Sequence, residues 1–378
     1  MRVRDDPELL ELMMADMQEA DALYRPTNYW AVYQRSILPE VRALGLHDFR
    51  RRELSALAAT GATDPWLPGG VAFTRRVRNM CWAVRNRTGL RVTWPITLAR
   101  AIDGILTRLL PLDLPWGLSP RQLQQLAAEN CRIRADEAGA KPLSEFEASL
   151  AGNPDGVFEI DGRPYTMKML HYYLRYVACC RHVDLDEVRV YVELGCGAGR
   201  QIEVIRKLHP SMVFLAFDIP PQLYVAQQFL QAVFGDDVVP YRQTREVQSL
   251  EDLRELAAGR IFILPTWKFP LLRDLDIDLF WNAASFQEME PHVVANYLGV
   301  VNQQAYHVFL HQQFSGKPRA SAPGELGVME PVTLEDYREG LSNFELVDMR
   351  PSWGPLGVVR EQDVYQDSVW RRVRSSRP

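Results

Sequence analysis

Residues 190–201 run Val190, Tyr191, Val192, Glu193, Leu194, Gly195, Cys196, Gly197, Ala198, Gly199, Arg200, Gln201. A short apolar run carries an acid near its end, and three glycines follow at alternate positions. Helical character resumes beyond them. Such a pattern hands the end of a buried parallel strand to the start of a helix through a sharp turn. Gly195, Gly197 and Gly199 let the backbone turn tightly and approach a ligand that any Cβ would push away. The fold class that follows is α/β, with a small-molecule site where this strand ends.

The chain from residue 188 onward supports that class, because strand and helix signals alternate as in a doubly wound parallel sheet. Strands are expected at 189–194, 212–217, 260–264, 277–281 and 305–312. Helices are expected at 200–208, 222–234 and 249–258, with another starting near Pro291. Segments 344–349 and 364–373 supply a closing pair, making seven strands. Before residue 188, a hairpin around Asp161-Gly162 is expected at 157–166. An amphipathic helix then runs from Met167 to about His182.

The first part of the chain is helical in character. Helical spacing covers 7–24, 28–45, 73–87, 96–110 and 119–134, with Pro/Gly-rich breaks at 65–70 and 111–120. Two regions result: 1–156, a helical substrate, lid or oligomerisation region, and 157–378, the sheet domain. The run Arg50-Arg51-Arg52 suits phosphate binding but is better accounted for as a solvated helix face.

Bulk properties narrow the function. The 378 residues carry 43 Lys+Arg against 48 Asp+Glu, net −5, so no overall basic field points to nucleic acid. The five cysteines, at 81, 131, 179, 180 and 196, show no metal-like spacing and suit a reducing cytoplasm. No signal-peptide core and no run of about 18 apolar residues is found, so a cytoplasmic protein without a membrane partner is expected. Whether it forms a homo-oligomer is left open.

Asp218 stands 19 residues past Gly199, at the expected end of the second strand. A carboxylate there can accept both ribose hydroxyls of a nucleoside. An Asp capping the next helix, announced by Pro220-Pro221, would look the same. Cys196 is read as a small residue housed by the turn and not as a nucleophile. Asp274, Asp276 and Asp278 alternate like a metal cluster, but the first two precede their strand and read as a solvated lead-in.

Glu-x-Gly-x-Gly-x-Gly at 193–199 resembles motif I of the class I S-adenosylmethionine (SAM) methyltransferases, and departs from the Gly-x-Gly-x-x-Gly of dinucleotide binders. Asp278-Leu279-Phe280-Trp281-Asn282-Ala283-Ala284-Ser285-Phe286-Gln287-Glu288-Met289 is similar to the fourth-strand exit of a bacterial sugar O-methyltransferase family. Ile219-Pro220 after Asp218 shares in this resemblance, as do Tyr29-Trp30 and Asp48-Phe49-Arg50. The likeness is strong over 188–292 and loose before it. It departs at Cys196 and Ala198, where that family often has bulkier residues.

The resemblance implies a Rossmann-like seven-stranded sheet whose last-added strand is antiparallel, and SAM as cofactor. Glu193 would hold the methionine amino group, with Gly195, Gly197 and Gly199 at the turn and Asp218 and Ile219 on the nucleoside. Thr266 and Trp267 fall where the family contacts adenine, with a loop or core position for Trp267 weighed equally with stacking. Asn282, Ser285 and Gln287 would hydrogen-bond the amino-acid end or the sugar. Tyr172, Tyr173 and Tyr176 are candidates to touch the cofactor, though half-buried core is the favoured account of each.

A sugar hydroxyl is a poor nucleophile near neutral pH, so a general base should lie within reach. Glu288 and His292 would share a helix face if the helix starts early and compete for that role, with His311 as substrate binder and His307 deeper on the same strand. The function expected is O-methylation of a sugar or glycosylated small molecule. The alternatives are N- or C-methylation of another metabolite, or a SAM-binding protein without turnover. A dinucleotide oxidoreductase is disfavoured by the glycine spacing.

Overall fold

The computed structural model describes residues 3–52, 54–64, 77, 80, 81, 84, 85, 90, 92–109, 120–249, 258–357 and 365–373. Helix α1 is Pro7–Glu19, started by Pro at its first position and by Asp6, whose side chain accepts the Leu9 N–H at 2.9 Å. Helices α2 (Asn28–Leu44), α3 (Trp94–Leu109) and α4 (Pro120–Ala138) follow, with a 3-10 turn at Ala56–Thr60. No strand occurs before residue 157 among the described residues. The expected helix at 73–87, the break at 65–70 and most of the break at 111–120 lie largely or wholly outside them, as does most of the helix at 249–258.

Strands β1 (Val157–Ile160) and β2 (Arg163–Thr166) form the expected hairpin, with Asp161 and Gly162 both at positive φ. Thr166 then caps α5 (Met167–Cys180) by accepting the Met169 N–H. The sheet region proceeds through β3 (Val190–Leu194), α6 (Arg200–Leu208), β4 (Val213–Asp218), α7 (Gln222–Phe234), β5 (Val238–Val239) and α8 (Tyr241–Thr244). It continues through β6 (Ile261–Pro265), β7 (Ile277–Ala283), α9 (Pro291–Gln304) and β8 (Ala305–Gln313). It closes with α10 (Leu334–Gly340), β9 (Phe344–Pro351) and β10 (Tyr365–Arg372).

The spatial order is β5-β6-β4-β3-β7-β8-β10-β9. Strands β3 to β8 pair in parallel, and β10 inserts antiparallel between β8 and β9. This is the expected Rossmann-like sheet with its antiparallel closing strand, extended at one edge by the two-residue β5. So short a strand carries no periodicity from which the sequence could reveal it. The chain leaves β3 toward β4 on one side and returns to β7 on the other, so the strand order reverses beside β3. Ligands of open α/β sheets bind at such a crevice, beyond the carboxyl ends of the strands.

Both faces of the sheet are covered. Tyr191, Phe214 and Trp281 pack into one apolar cluster, and Val192, Leu215 and Phe280 into the other, following the two-residue period of the strands. Trp281 stacks on Phe309 at 3.9 Å between ring centroids. Leu9, Met13, Ile37 and Phe49 of the helical region belong to the same cluster as Ile202 and Phe229. The boundary at 156 therefore marks a change in sequence character, while the apolar core runs across it.

The arginine run corrects one expectation. Arg50 is fully buried, with its guanidinium on Asp64 and on the carbonyls of Ser149 and Ala151. Arg52 is nearly so, held by Asp48 and by the Leu44 and Gly45 carbonyls. Of the three, only Arg51 meets solvent as an exposed side chain. Asp64 and two distant carbonyls draw Arg50 inward, while Arg52 is drawn in by Asp48, four residues before it, and by the carbonyls that end α2.

Candidate functional site

The strand tips open into a cavity of about 440 Å³, within the range of roughly 300–1,000 Å³ usual for small-ligand sites. Its floor comes from the turn after β3, Asp218 at the end of β4, and Ala283 to Ser285 after β7. Helix α5 supplies a second wall. Trp30 of α2 and residues 58–61 of the N-terminal 3-10 turn supply a third. A smaller pocket of about 30 Å³ adjoins it, sharing Trp30, Gly195, Asp218 and Ser285.

The turn after β3 is held by its neighbours. Gly195 has φ +80°, and a Cβ there would stand 2.3 Å from Ser285 Cβ. Gly195 and Gly197 line the cavity, whereas Gly199 does not. The expectation that Gly199 meets a ligand is corrected: it is the N-cap of α6, and a Cβ would meet Leu230 at 2.8 Å.

Asp218 accepts the Gly197 N–H at Oδ2 and the Ile219 N–H at Oδ1, each at 2.7 Å. It does not cap α7, whose N-cap is Pro221. Each carboxylate oxygen keeps a further lone pair, and the residue lines both pockets. Burial pushes its pKa up to about 7, against the pull of those two N–H donors. Glu193 lines the same cavity and accepts the Tyr191 hydroxyl at 3.0 Å. Burial raises its pKa to about 8, opposed by Tyr191 and Arg175. Two carboxyls held away from water near one turn favour a cationic, hydroxyl-bearing ligand.

Ile219 and Thr266 line the smaller pocket, with the Thr266 hydroxyl donating to the Tyr24 carbonyl at 2.8 Å. Trp267 lines neither pocket and packs against the apolar core. Asn282 is fully buried and lines neither. Its Nδ2 donates to the Leu194 carbonyl and its Oδ1 accepts from Phe286 N–H and Gln312 Nε2, so it ties the β3, β7 and β8 tips together. Gln287 is likewise spent on Tyr365 and the Gln313 N–H. The expected ligand contacts of Trp267, Asn282 and Gln287 are thus corrected. Ser285 lines both pockets.

Glu288 lines the main cavity and pairs with Lys317 at 3.5 Å. Burial lifts its pKa to about 8, countered by Lys317 and by a hydrogen bond from Tyr29. It sits in a 3-10 turn, Phe286–Glu288, and α9 begins only at Pro291. The expectation that Glu288 and His292 share a helix face is therefore corrected. His292 is exposed in the first turn of α9 and lines neither pocket, so its geometry offers no support for a base.

His311 lines the cavity. The antiparallel register of β8 with β10 sets it opposite Asp367, and Nδ1 meets Asp367 Oδ1 at 2.6 Å. Its Nε2 meets Arg175 Nη2 at 3.0 Å, and Tyr365 stacks on the ring at 4.8 Å. Burial, then the Arg175 charge, lower its pKa to about 4, leaving a neutral imidazole at pH 7. His307 lines neither pocket. Tyr172 lines the cavity, while Tyr173 and Tyr176 are buried and donate or bond elsewhere.

Sequence reasoning missed Asp367, Arg175, Lys168 and Trp30 as parts of this site. Asp367 and Trp30 arrive from distant segments. Lys168 and Arg175, by contrast, share a face of α5 with Tyr172, and that spacing was available to be read. Asp278 accepts the Arg189 and Val190 N–H groups at 2.9 Å, and no group of acids, histidines or cysteines among the described residues could hold a metal. Cys196 lines the cavity, but burial holds its thiol well above the ordinary range. No helix among the described residues is long and apolar enough to cross a membrane.

Neither the protein-family models nor the curated proteins yield a match to this chain. Among solved structures, it is similar to the pyocyanin biosynthetic protein PhzM at 15% identity and TM-score 0.34, over 55% of this chain and 56% of that one. The mitomycin 7-O-methyltransferase MmcR matches at 14% identity and TM-score 0.37, over 85% and 74%. The magnesium protoporphyrin IX methyltransferase from Synechocystis PCC 6803 with bound SAH matches at 15% and 0.35, over 55% and 85%. The first match thus spans little more than half of that protein's length. Such low identities and scores assign neither activity nor ligand to this chain, whose fold is read from its own strand order.

Proposed function

We propose that this chain is a SAM-dependent methyltransferase acting on a hydroxyl of a sugar or glycosylated small molecule. The observation that carries the reading is the pair Glu193 and Asp218, at the tips of adjacent parallel strands on either side of one glycine turn. The residues fit the cofactor. Asp218 has lone pairs free for two ribose hydroxyls, Glu193 offers a carboxylate to an ammonium group, and Ile219 and Thr266 wall a pocket beside them. Glycine at 195 and 197 keeps that edge of the cavity free of side chains.

Bound SAM supplies a methyl group on a sulfonium, an electrophile that needs position more than covalent help. The protein's part is to orient the acceptor and take its proton. Glu288 is the base in this reading: when ionised, a carboxylate whose pKa lies near 8 has a high proton affinity for its type. Lys317 stays beside it as counter-charge. Asp367 and Arg175 fix the two nitrogens of the His311 ring, which lines the cavity and would pack beside the acceptor. Trp30, Trp353 and Tyr365 line the same space and give flat apolar faces of the kind that sugar rings stack on.

The test is isothermal titration with SAM, S-adenosylhomocysteine (SAH) and NAD, on the natural sequence and on Asp218→Ala. Binding of the first two, weakened at least about tenfold by the substitution, is expected from loss of hydrogen bonds to a charged acceptor. Binding of NAD alone, or of none, overturns the reading. With SAM binding in hand, methylation of a panel of sugars and glycosides, scored by product mass, separates turnover from binding alone.

A further inference from the structure

Charge is divided between the walls of the main cavity. Its three acids, Glu193, Asp218 and Glu288, all sit at the strand tips or the turn just after β7. Its Lys and Arg, Lys168 and Arg175, both come from α5. Seven residues apart, they lie on one helix face, about 10 Å from each other along the axis. His171 lies between them on the same wall. Neither cation has a carboxylate hydrogen-bonded or ion-paired to it among the described residues; Arg175 meets His311 and lies 5.1 Å from the Tyr172 ring centre. In a chain of net charge −5, this wall is a local arrangement and not a share of a general basic field.

Cations that face a ligand cavity without a carboxylate bonded to them are complementary to anionic groups on the ligand. On the SAM-dependent reading, on which this inference rests, the cofactor brings one carboxylate. Arg175 is the cation close enough to act on the Glu193 carboxyl, so it falls on the amino-acid side. Lys168 stands two turns away, beside Gly61, where a Cβ would lie 4.0 Å from its Cε. One cation is thus left over once the cofactor's carboxylate is matched. We propose that Lys168 marks an acceptor subsite for an anionic group, so that the acceptor is a hydroxyl compound bearing a carboxylate or a phosphate.

The experiment starts from protein saturated with SAH, titrated calorimetrically with glucuronate, glucose 6-phosphate and glucose. Failure to bind SAH sinks the methyltransferase reading and is seen before any acceptor is added. Once SAH is bound, the inference expects glucuronate or glucose 6-phosphate to bind at least tenfold tighter than glucose, and which of the two prefers the site separates carboxylate from phosphate. Lys168→Met is expected to abolish that preference and leave SAH affinity within twofold, while Lys168→Arg retains it. Equal binding of glucose, no binding by either charged probe, or a preference that survives Lys168→Met overturns the proposal. Far-UV circular dichroism of each variant excludes misfolding as the cause of a lost preference.

Discussion

Asp64 and Arg200 meet in the protein interior, Oδ2 to Nη1 at 2.6 Å, with side-chain exposures of 2% and 1%. Asp64 comes from the N-terminal helical region, and Arg200 opens the helix that follows the glycine turn. Arg50 shares the same carboxylate oxygen at 2.7 Å, and Glu203 lies 3.5 Å from Arg200. This buried network therefore joins the N-terminal cover to the element that shapes the candidate cofactor site. The Thr60 carbonyl, four residues before Asp64, stands 2.8 Å from where a Cβ on Gly197 would be.

Removing one partner from such a network leaves buried charge without compensation. Asp64→Ala is expected to destabilise the fold by about 3–5 kcal/mol, read as a lower urea midpoint. Burial favours the neutral acid, but Arg200 and Arg50 outweigh it and hold the Asp64 carboxyl below its ordinary range. Its contribution is present above the unfolded pKa and is lost as pH falls through the folded one. The variant's deficit should therefore shrink in acid; a deficit independent of pH would contradict the network's role.

The three cavity acids carry the opposite sign. Folded pKa values of about 8, 7 and 8 for Glu193, Asp218 and Glu288 exceed their ordinary 4.5, 3.8 and 4.5. Between those limits the folded protein holds more protons than the unfolded chain, so stability falls as pH rises. In urea titrations of ligand-free protein, the share of stability that these acids carry should decline from pH 5 to 8. It runs against the opposite slope below about pH 6.5 from His171, His209 and His311, whose burial lowers their pKa. Glu193→Gln should flatten part of that decline, and an unchanged slope would argue against a buried, protonated Glu193.

Gly195→Ala is expected to abolish SAH binding and lower stability. The new methyl group meets Ser285 Cβ and Oγ at 2.3 Å, and the backbone stays at φ +80°. Pairing it with Ser285→Gly removes the clash and leaves the backbone cost of about 1 kcal/mol or more. Thermal melts of the pair should recover only part of the loss. Full recovery would mean that φ at this position is not restrictive.

Glu288→Gln tests the proposed base. The rate of methyl transfer should fall by roughly 10²–10⁴-fold, with SAH affinity nearly unchanged. In the natural sequence the rate should climb with pH toward a shoulder near 8, as Glu288 ionises. The variant should lack that limb. A retained limb would move the role to another group, His311 with Asp367 being the pair in place.

The strand that carries Glu193, the glycine turn and the helix from Arg200 were legible locally, because burial on both sheet faces enforces an apolar run and a tight turn enforces glycine. Asp218 could be found by counting from that turn, and Ile219 by the resemblance that its Ile-Pro pair carries. The two-residue β5 could not, since it has no period to detect. Arg50 looked solvated because its partners, Asp64 and the Ser149 and Ala151 carbonyls, lie elsewhere in the chain, whereas Arg52 folds back on Asp48 and the end of α2.

What the sequence alone determined is thus the α/β class and the order of most of its elements, and it pointed to Glu193, Gly195, Gly197 and Asp218 within one strand–turn–helix–strand run. Tertiary structure decided the rest. It spent Asn282 and Gln287 on joining strand ends, left His292 in solvent, and set Asp367 against His311 through antiparallel register. It also brought Trp30 and residues 58–61 over the glycine turn. The physical reason is the same in each case. A side chain's role depends on which donors, acceptors and apolar faces surround it, and long-range packing chooses that surrounding.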